Sequence, residues 1–358
     1  MRRLIILCIV LIIGLLIVYG IYKWGTSGSK PEIPVSKPSS SAQTEISSPQ
    51  ELPVPQKIVS LPDEGIPLPF KYDKTVWNDL SAVPLSKDAR TGLLVNLNTR
   101  EVLWAKNPKK PVPIASMTKM MTLLLIMEYM QHDPAISLDT MVQVTREASK
   151  IGGSQAWLDP KEQFSIRELL KTIVVHSAND SSYLLAQYFG NGDVQTFINK
   201  MNQRAEELHL PGAHFSNPDG LPEKNPENEN KASAEDMAFL AEKLLQYPII
   251  TEFAHLKSIV FRPNSPKPNT FVNTNKLIRW DIKGVNGMKT GYTVRAGFCT
   301  TVTCTRDGKT LIAVATGFKT SKNRDKFITQ LLSWGFNPPK TKRTSSDSPA
   351  KTVSNKTK

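Results

Sequence analysis

Pro113-Ile114-Ala115-Ser116-Met117-Thr118-Lys119-Met120-Met121-Thr122 is the run around which the rest of the chain is organised. Ser116 and Lys119 are three residues apart, so on a helix they share a face and reach one another. An amine that has lost its proton can then take the hydroxyl proton and make the serine a nucleophile. Burial and cationic neighbours lower a lysine's pKa toward that state. Met120, Met121, Leu123, Leu124, Leu125, Met127 and Met130 follow. A helix apolar on nearly every side is buried inside a domain, which predicts that its first turn lies at the floor of a cleft. Taken alone, the motif also fits an N-capped core helix with one solvated lysine.

Two further boxes decide between these readings. Ser177-Ala178-Asn179 and Lys289-Thr290-Gly291 follow in that order. Ser-x-x-Lys, a Ser-x-Asn box and Lys-Thr-Gly together form the signature of penicillin-binding proteins and class A β-lactamases. Three boxes in order are far more specific than any one of them.

The chain begins with an uncharged, almost wholly aliphatic run from Leu4 to Tyr22. Nineteen residues at about 1.5 Å each give roughly 28 Å of helix, enough to cross a bilayer core of about 30 Å. Arg2 and Arg3 precede it, and Tyr19, Tyr22 and Trp24 suit the far interface, so the N-terminus stays cytoplasmic. The run is long for a cleaved signal peptide, and bulky residues stand where small ones are expected. Residues 1–24 are therefore read as an uncleaved signal anchor, which makes the membrane one partner. Residues 25–75 are rich in Pro and Ser and read as an extended spacer. Residues 337–358, rich in Lys, Ser and Thr, read as a basic disordered tail, leaving 76–336 as the catalytic domain.

The net charge of +13 is unevenly spread. The tail carries +5, the first thirty residues +4 and residues 31–57 −1, so residues 58–336 are only mildly basic, at +5. No basic stripe with interleaved aromatics appears, and nucleic acid is not an expected partner. Cys299 and Cys304, five apart in a predicted strand, face opposite ways and cannot bridge within it. His132, His176, His209, His214 and His255 show no metal-ligand spacing, so neither metal nor cofactor is expected.

The folded part reads as α+β: an antiparallel sheet covered by helices, with a helical lobe. Thr91 to Leu97 and Glu101 to Ala105 form a hairpin across Asn98-Thr99-Arg100. Ser165-Ile166-Arg167-Glu168 is a capping box opening a helix from Ile166 to Val175, which delivers Ser177 at its end. Helices are predicted from Asp180 to Tyr188, Val194 to Leu208 and Ala234 to Leu245. Strands follow at 258–261, 284–290, 296–305 and 309–316, with Asp307-Gly308 as a hairpin turn. A last helix runs from Asn323 to Trp334.

From Ala89 to Phe336 the chain resembles the serine-type D-alanyl-D-alanine carboxypeptidases, the low-molecular-weight penicillin-binding proteins. Besides the three boxes, the likeness rests on Ala115 to Thr122, Phe215-Ser-Asn-Pro-Asp-Gly-Leu221, Ser233-Ala-Glu-Asp236 and Gly287-Met-Lys-Thr-Gly-Tyr-Thr293 with Ala296-Gly297. The resemblance implies the penicillin-binding protein and β-lactamase-like transpeptidase fold. It also implies removal of a terminal D-alanine from peptidoglycan stem peptides, with β-lactams as inhibitors and the domain outside the cytoplasm. Ser116 is then the acylated nucleophile, Lys119 the general base and Ser177 the proton relay to the leaving amine. Asn179 holds the substrate amide and Lys119, and Lys289 supplies positive potential. The N–H groups of Ser116 and Tyr292 form the oxyanion hole, beside Gly291. Thr290 and Arg324 bind the substrate's terminal carboxylate, the alternative for Arg324 being a solvated helix cation. Thr99-Arg100 stands where relatives often have Thr-Gly, a change read as structurally tolerated. A class A β-lactamase is disfavoured because no Glu-x-x-Leu-Asn element lies between Asn179 and Lys289. A DD-endopeptidase shares all three boxes and is the serious alternative. A non-catalytic binder is disfavoured because every catalytic residue is present.

Overall fold

A computed structural model describes Tyr72, Leu80 and residues 83–337 apart from Lys267. The expected anchor, nearly all of the expected spacer and nearly all of the expected tail lie outside the described residues. Among the described residues, no helix is long and apolar enough to cross a membrane.

The main sheet is built from segments near the two ends of the described residues. Strands β1 (Gly92–Asn96) and β2 (Glu101–Lys106) come first. Strands β3 (Val285–Thr293), β4 (Gly297–Arg306) and β5 (Lys309–Phe318) come last. Together they form one antiparallel sheet in the order β2-β1-β5-β4-β3, with Gly92 opposite Ala315 and Lys289 opposite Thr301. Asp307 and Gly308 both have positive φ, which matches the right-handed twist of a two-residue hairpin. Arg100 has φ +58, a conformation glycine takes at no cost. Its guanidinium lies 2.6 Å from Glu242 and donates to the Tyr72 hydroxyl at 3.3 Å, contacts a glycine would lack.

The sheet is buried on both faces. Leu94, Leu103, Val302, Cys304, Leu311 and Ala313 pack with Phe327, Ile328 and Leu331 of the closing helix Ser321–Phe336. Leu93, Val95, Ile312, Val314 and Cys299 join the larger core of the helical lobe. The two cysteines thus sit in different cores, and both are free thiols.

The lobe holds helices α1 (Lys119–His132), α2 (Ile166–Lys171), α3 (Asn179–Phe189), α4 (Val194–Glu207), α5 (Ala234–Leu244) and α6 (Pro248–His255); the closing helix is α7. Helix α1 is buried from Lys119 through Glu128, as its all-round apolar sequence demands. Arg204 of α4 forks onto the Glu128 carboxylate at 3.0–3.3 Å, pairing the charge that α1 carries inward. Capping boxes open both α2 (Ser165, Glu168) and α5 (Ser233, Asp236).

One helix departs from its expected course. The sequence predicts Ile166 to Val175 as a single α-helix, but α2 ends at Lys171 and a wider π-type turn spans Thr172–His176. The Thr172 carbonyl accepts from Ala178 N–H at 3.2 Å, drawing the chain back around the turn. Ser177 closes it with φ +67. Extra residues packed into one turn redirect the chain, a device frequent at functional sites.

Candidate active site

Ser116 sits in a short 3₁₀ turn, Ala115–Thr118, that runs directly into α1. Lys119, the first residue of α1, is completely buried. Its Nζ lies 3.1 Å from Ser116 Oγ and donates to Asn179 Oδ1 at 2.7 Å and to the Asp219 carbonyl. Ser116 Oγ also reaches that carbonyl, at 3.4 Å. Asn179 opens α3, and its Nδ2 donates to the Gly152 carbonyl at 2.8 Å. Because the amide nitrogen is committed there, its oxygen must face the lysine.

The third box lies on β3, an edge strand of the sheet. Lys289 is buried and donates to the Thr290 carbonyl at 3.1 Å. Thr300 donates to the Lys289 carbonyl, and Thr290 Oγ1 bonds Thr274 Oγ1 at 2.9 Å. At Gly291 an added Cβ would lie 2.6 Å from the Ile114 carbonyl and 3.2 Å from Ser116 N. Only glycine lets the strand edge come this close to the nucleophile. Edge strands carry unpaired N–H and C=O groups, so this closeness puts such groups beside Ser116. Tyr292 is exposed, its ring stacked on Phe298 at 4.1 Å.

Arg324, in the first turn of α7, is buried rather than solvated. Its Nε and Nη2 donate to Asp325 Oδ1 at 2.9 and 2.6 Å, and its Nη1 to the Cys299 carbonyl at 3.1 Å. These bonds use three of the five guanidinium N–H groups. Ser177 is buried at the end of the π-type turn.

Burial dominates the electrostatics. It lowers the Lys119 pKa to about 8, opposed by the charges of Asp219 and Asp180. Lys289 is pushed well below the ordinary lysine value, first by burial and then by the positive charges of Lys119 and Arg324. Burial also raises the Asp219 and Asp180 carboxyls. A lysine with an accessible neutral form, 3.1 Å from a hydroxyl, is equipped to take its proton.

Several contributors carry no side-chain signature in the sequence. The Asp219 carbonyl is placed by the Asn-Pro-Asp-Gly turn. There Asn217 Oδ1 accepts from Gly220 N–H and from Asn230 Nδ2, at 2.7 and 2.8 Å. Gly220 has φ +83, and a Cβ on it would strike the Ala115 carbonyl at 2.1 Å. Residues 152–158 supply the Gly152 and Ser154 carbonyls that bind Asn179, and Gly152-Gly153 is the only cue to them. Among the described residues, no group of three or more His, Cys, Asp or Glu could hold a metal ion.

Ser116, Lys119, Asn179 and Lys289 come from the three boxes that together mark the penicillin-binding proteins and class A β-lactamases. Residues 78–320 match the D-alanyl-D-alanine carboxypeptidase family, peptidase S11, and the chain belongs to that family. It is 38% identical over 252 residues to the D-alanyl-D-alanine carboxypeptidase DacF of Bacillus subtilis, covering 70% of this chain and 63% of DacF. It is 30% identical over 225 residues to a D-alanyl-D-alanine endopeptidase of Pseudomonas aeruginosa, covering 61% of this chain and 68% of that protein. Among solved structures, the carboxypeptidase DacD of Francisella tularensis aligns with a TM-score of 0.65 at 26% identity, covering 70% of each chain. Penicillin-binding protein D2 of Listeria monocytogenes, in its ampicillin-bound form, aligns with a TM-score of 0.61 at 25% identity, covering 70% of this chain and 97% of that one. The chain spans less than two thirds of DacF.

Proposed function

We propose that this protein is a serine D-alanyl-D-alanine carboxypeptidase that removes the terminal D-alanine from peptidoglycan stem pentapeptides and is acylated by β-lactams. The supporting observation is the pairing of Ser116 Oγ with a lysine kept from water and pushed down to about 8. Neutral Lys119 takes the Ser116 proton as Oγ attacks the carbonyl between the two D-alanines. The N–H groups of Ser116 and Tyr292 hold the oxyanion, a contribution of about 3–4 kcal/mol per donor. Ser177 passes a proton to the leaving amine, and D-alanine departs. Water then attacks the ester and restores the serine. Asn179 holds the substrate amide, Lys289 supplies positive potential, and Thr290 and Arg324 bind the terminal carboxylate. A fluorescent penicillin is expected to label the wild type and to leave a folded Ser116→Ala protein unlabelled; covalent labelling of that variant overturns the mechanism.

The endopeptidase among the relatives supports a second reading, cleavage of peptide cross-links. Incubation with muropeptide monomers and with cross-linked dimers, products identified by mass, separates the two. The family acts on the cell wall, outside the cytoplasm. We extend the proposal to an uncleaved anchor from Leu4 to Tyr22. A native N-terminus beginning after Trp24 contradicts it.

A further inference from the structure

Arg262 is nearly buried, and almost every part of its guanidinium is engaged. Its Nε and Nη2 bind the two Glu162 oxygens at 2.7 and 2.6 Å. Its Nη1 and Nη2 donate to the carbonyls of Ala156 and Trp157 at 2.9 and 2.7 Å. The rings of Phe164 and Phe261 lie 5.0 and 4.5 Å from its centre. A guanidinium bonded along its rim and packed against two rings keeps one orientation.

The loop it grips is held from the other side by the start of α3. The Asp180 carboxylate accepts from the N–H groups of Ala156 and Leu158, at 2.9 and 3.2 Å. Asn179 N–H donates to the Ser154 carbonyl at 2.7 Å, and Asn179 Nδ2 to the Gly152 carbonyl at 2.8 Å. Trp157 sits between the two clamps with φ +60, a conformation that a bulky residue keeps only when its surroundings impose it. The loop opens with two glycines, Gly153 at φ +80, so it has the freedom to relax once released. Its relaxation would withdraw the two carbonyls that orient Asn179, whose Oδ1 lies 2.7 Å from Lys119 Nζ.

We propose that Arg262 is a positioning residue for the reaction: it clamps residues 156–157 so that Gly152 and Ser154 keep the Asn179 carboxamide turned toward Lys119. The proposal rests on the peptidase reading above. It is tested on the full-length chain with a fluorescent penicillin, well below the melting temperature, separating the binding constant from the acylation rate constant. Arg262→Leu keeps an apolar stem beside the two rings, which touch one another, and removes the fork. It is expected to lower the acylation rate constant about tenfold, with a smaller change in binding. In an Asn179→Ala background the same substitution is expected to change the rate constant less than twofold, because the group it acts through is gone. An unchanged rate constant despite a lower Tm, or losses that multiply in the double variant, overturns the proposal. If Arg262→Leu does not fold, Glu162→Gln, which loosens the fork while leaving it in place, is read by the same two outcomes. The side-chain amide NMR signals of Asn179 report its displacement independently of activity. An unlabelled wild type ends the peptidase reading, whereas unmoved Asn179 signals in Arg262→Leu end this one.

Discussion

The pH dependence of acylation follows from the burial of Lys119. Its amine donates to Ser116 Oγ and to two carbonyl oxygens, and among the described residues no carboxylate oxygen bonds it directly. With its pKa at about 8, roughly one molecule in ten carries the neutral base at pH 7 and roughly nine in ten at pH 9. The second-order rate constant for acylation by a penicillin should therefore rise about tenfold between these values, with a midpoint near 8. The same shift bears on stability. In the unfolded chain a lysine titrates near 10.4, so between about 8 and that value the unfolded state binds more protons than the folded one. Stability should then rise with pH across that window, recovering about 3 kcal/mol that burying the ammonium costs at neutral pH. Urea midpoints at pH 7.5 and 9.5, compared with those of Lys119→Met, isolate this contribution. A rate constant that is flat from pH 6.5 to 9.5, or a midpoint near 10, would refute Lys119 as the base.

Arg324→Ala should lower kcat/KM about ten- to a hundredfold on substrates with a free C-terminus and little on amidated analogues. Because Arg324 is the ion-pair partner of buried Asp325, the variant should also lose roughly 3–5 kcal/mol of stability. Adding Asp325→Asn should restore much of that stability without restoring kcat/KM; recovery of both would make Arg324 purely structural. Gly220→Ala puts a Cβ against the Ala115 carbonyl at a backbone angle suited to glycine. It should cost more than about 2 kcal/mol and slow acylation, measured by thermal melts and penicillin labelling. A neutral variant would show that the Asp219 carbonyl can move freely.

Much of this was legible in the residues themselves. The three boxes pointed to the family, and the all-apolar run after Lys119 marked a buried helix. The Ser165 and Ser233 capping boxes and the Asp307-Gly308 turn stand where their local chemistry puts them. Ser116, Lys119 and Asn179 do converge, with Lys289 close enough to be felt electrostatically. The acceptors that complete the site were hidden because they are carbonyls of Gly152, Ser154 and Asp219, and any residue type supplies a carbonyl. The π-type turn was hidden because its residues have ordinary helical character, and the bond from Ala178 N–H to the Thr172 carbonyl joins backbone groups that any residue type supplies. The burial of Arg324 was not legible either, since the basic residues around it read as a solvated face.

The order of the sheet has a consequence for biosynthesis. Strand β1 has no neighbour on one side until β5 arrives, and Gly92 and Ala315 are partners from opposite ends of the domain. The nucleophile and its base are made early, yet the strand edge that faces them comes from β3, which needs β4 beside it. During synthesis, a nascent chain that stops short of residue 318 holds Ser116 and Lys119 without a closed sheet. Pairing between distant segments pays its loop-closure entropy before it is rewarded, so completing the sheet should be the slow step. The candidate active site is therefore assembled only when the chain through Phe318 has emerged, which separates the making of Ser116 and Lys119 from the completion of the site around them.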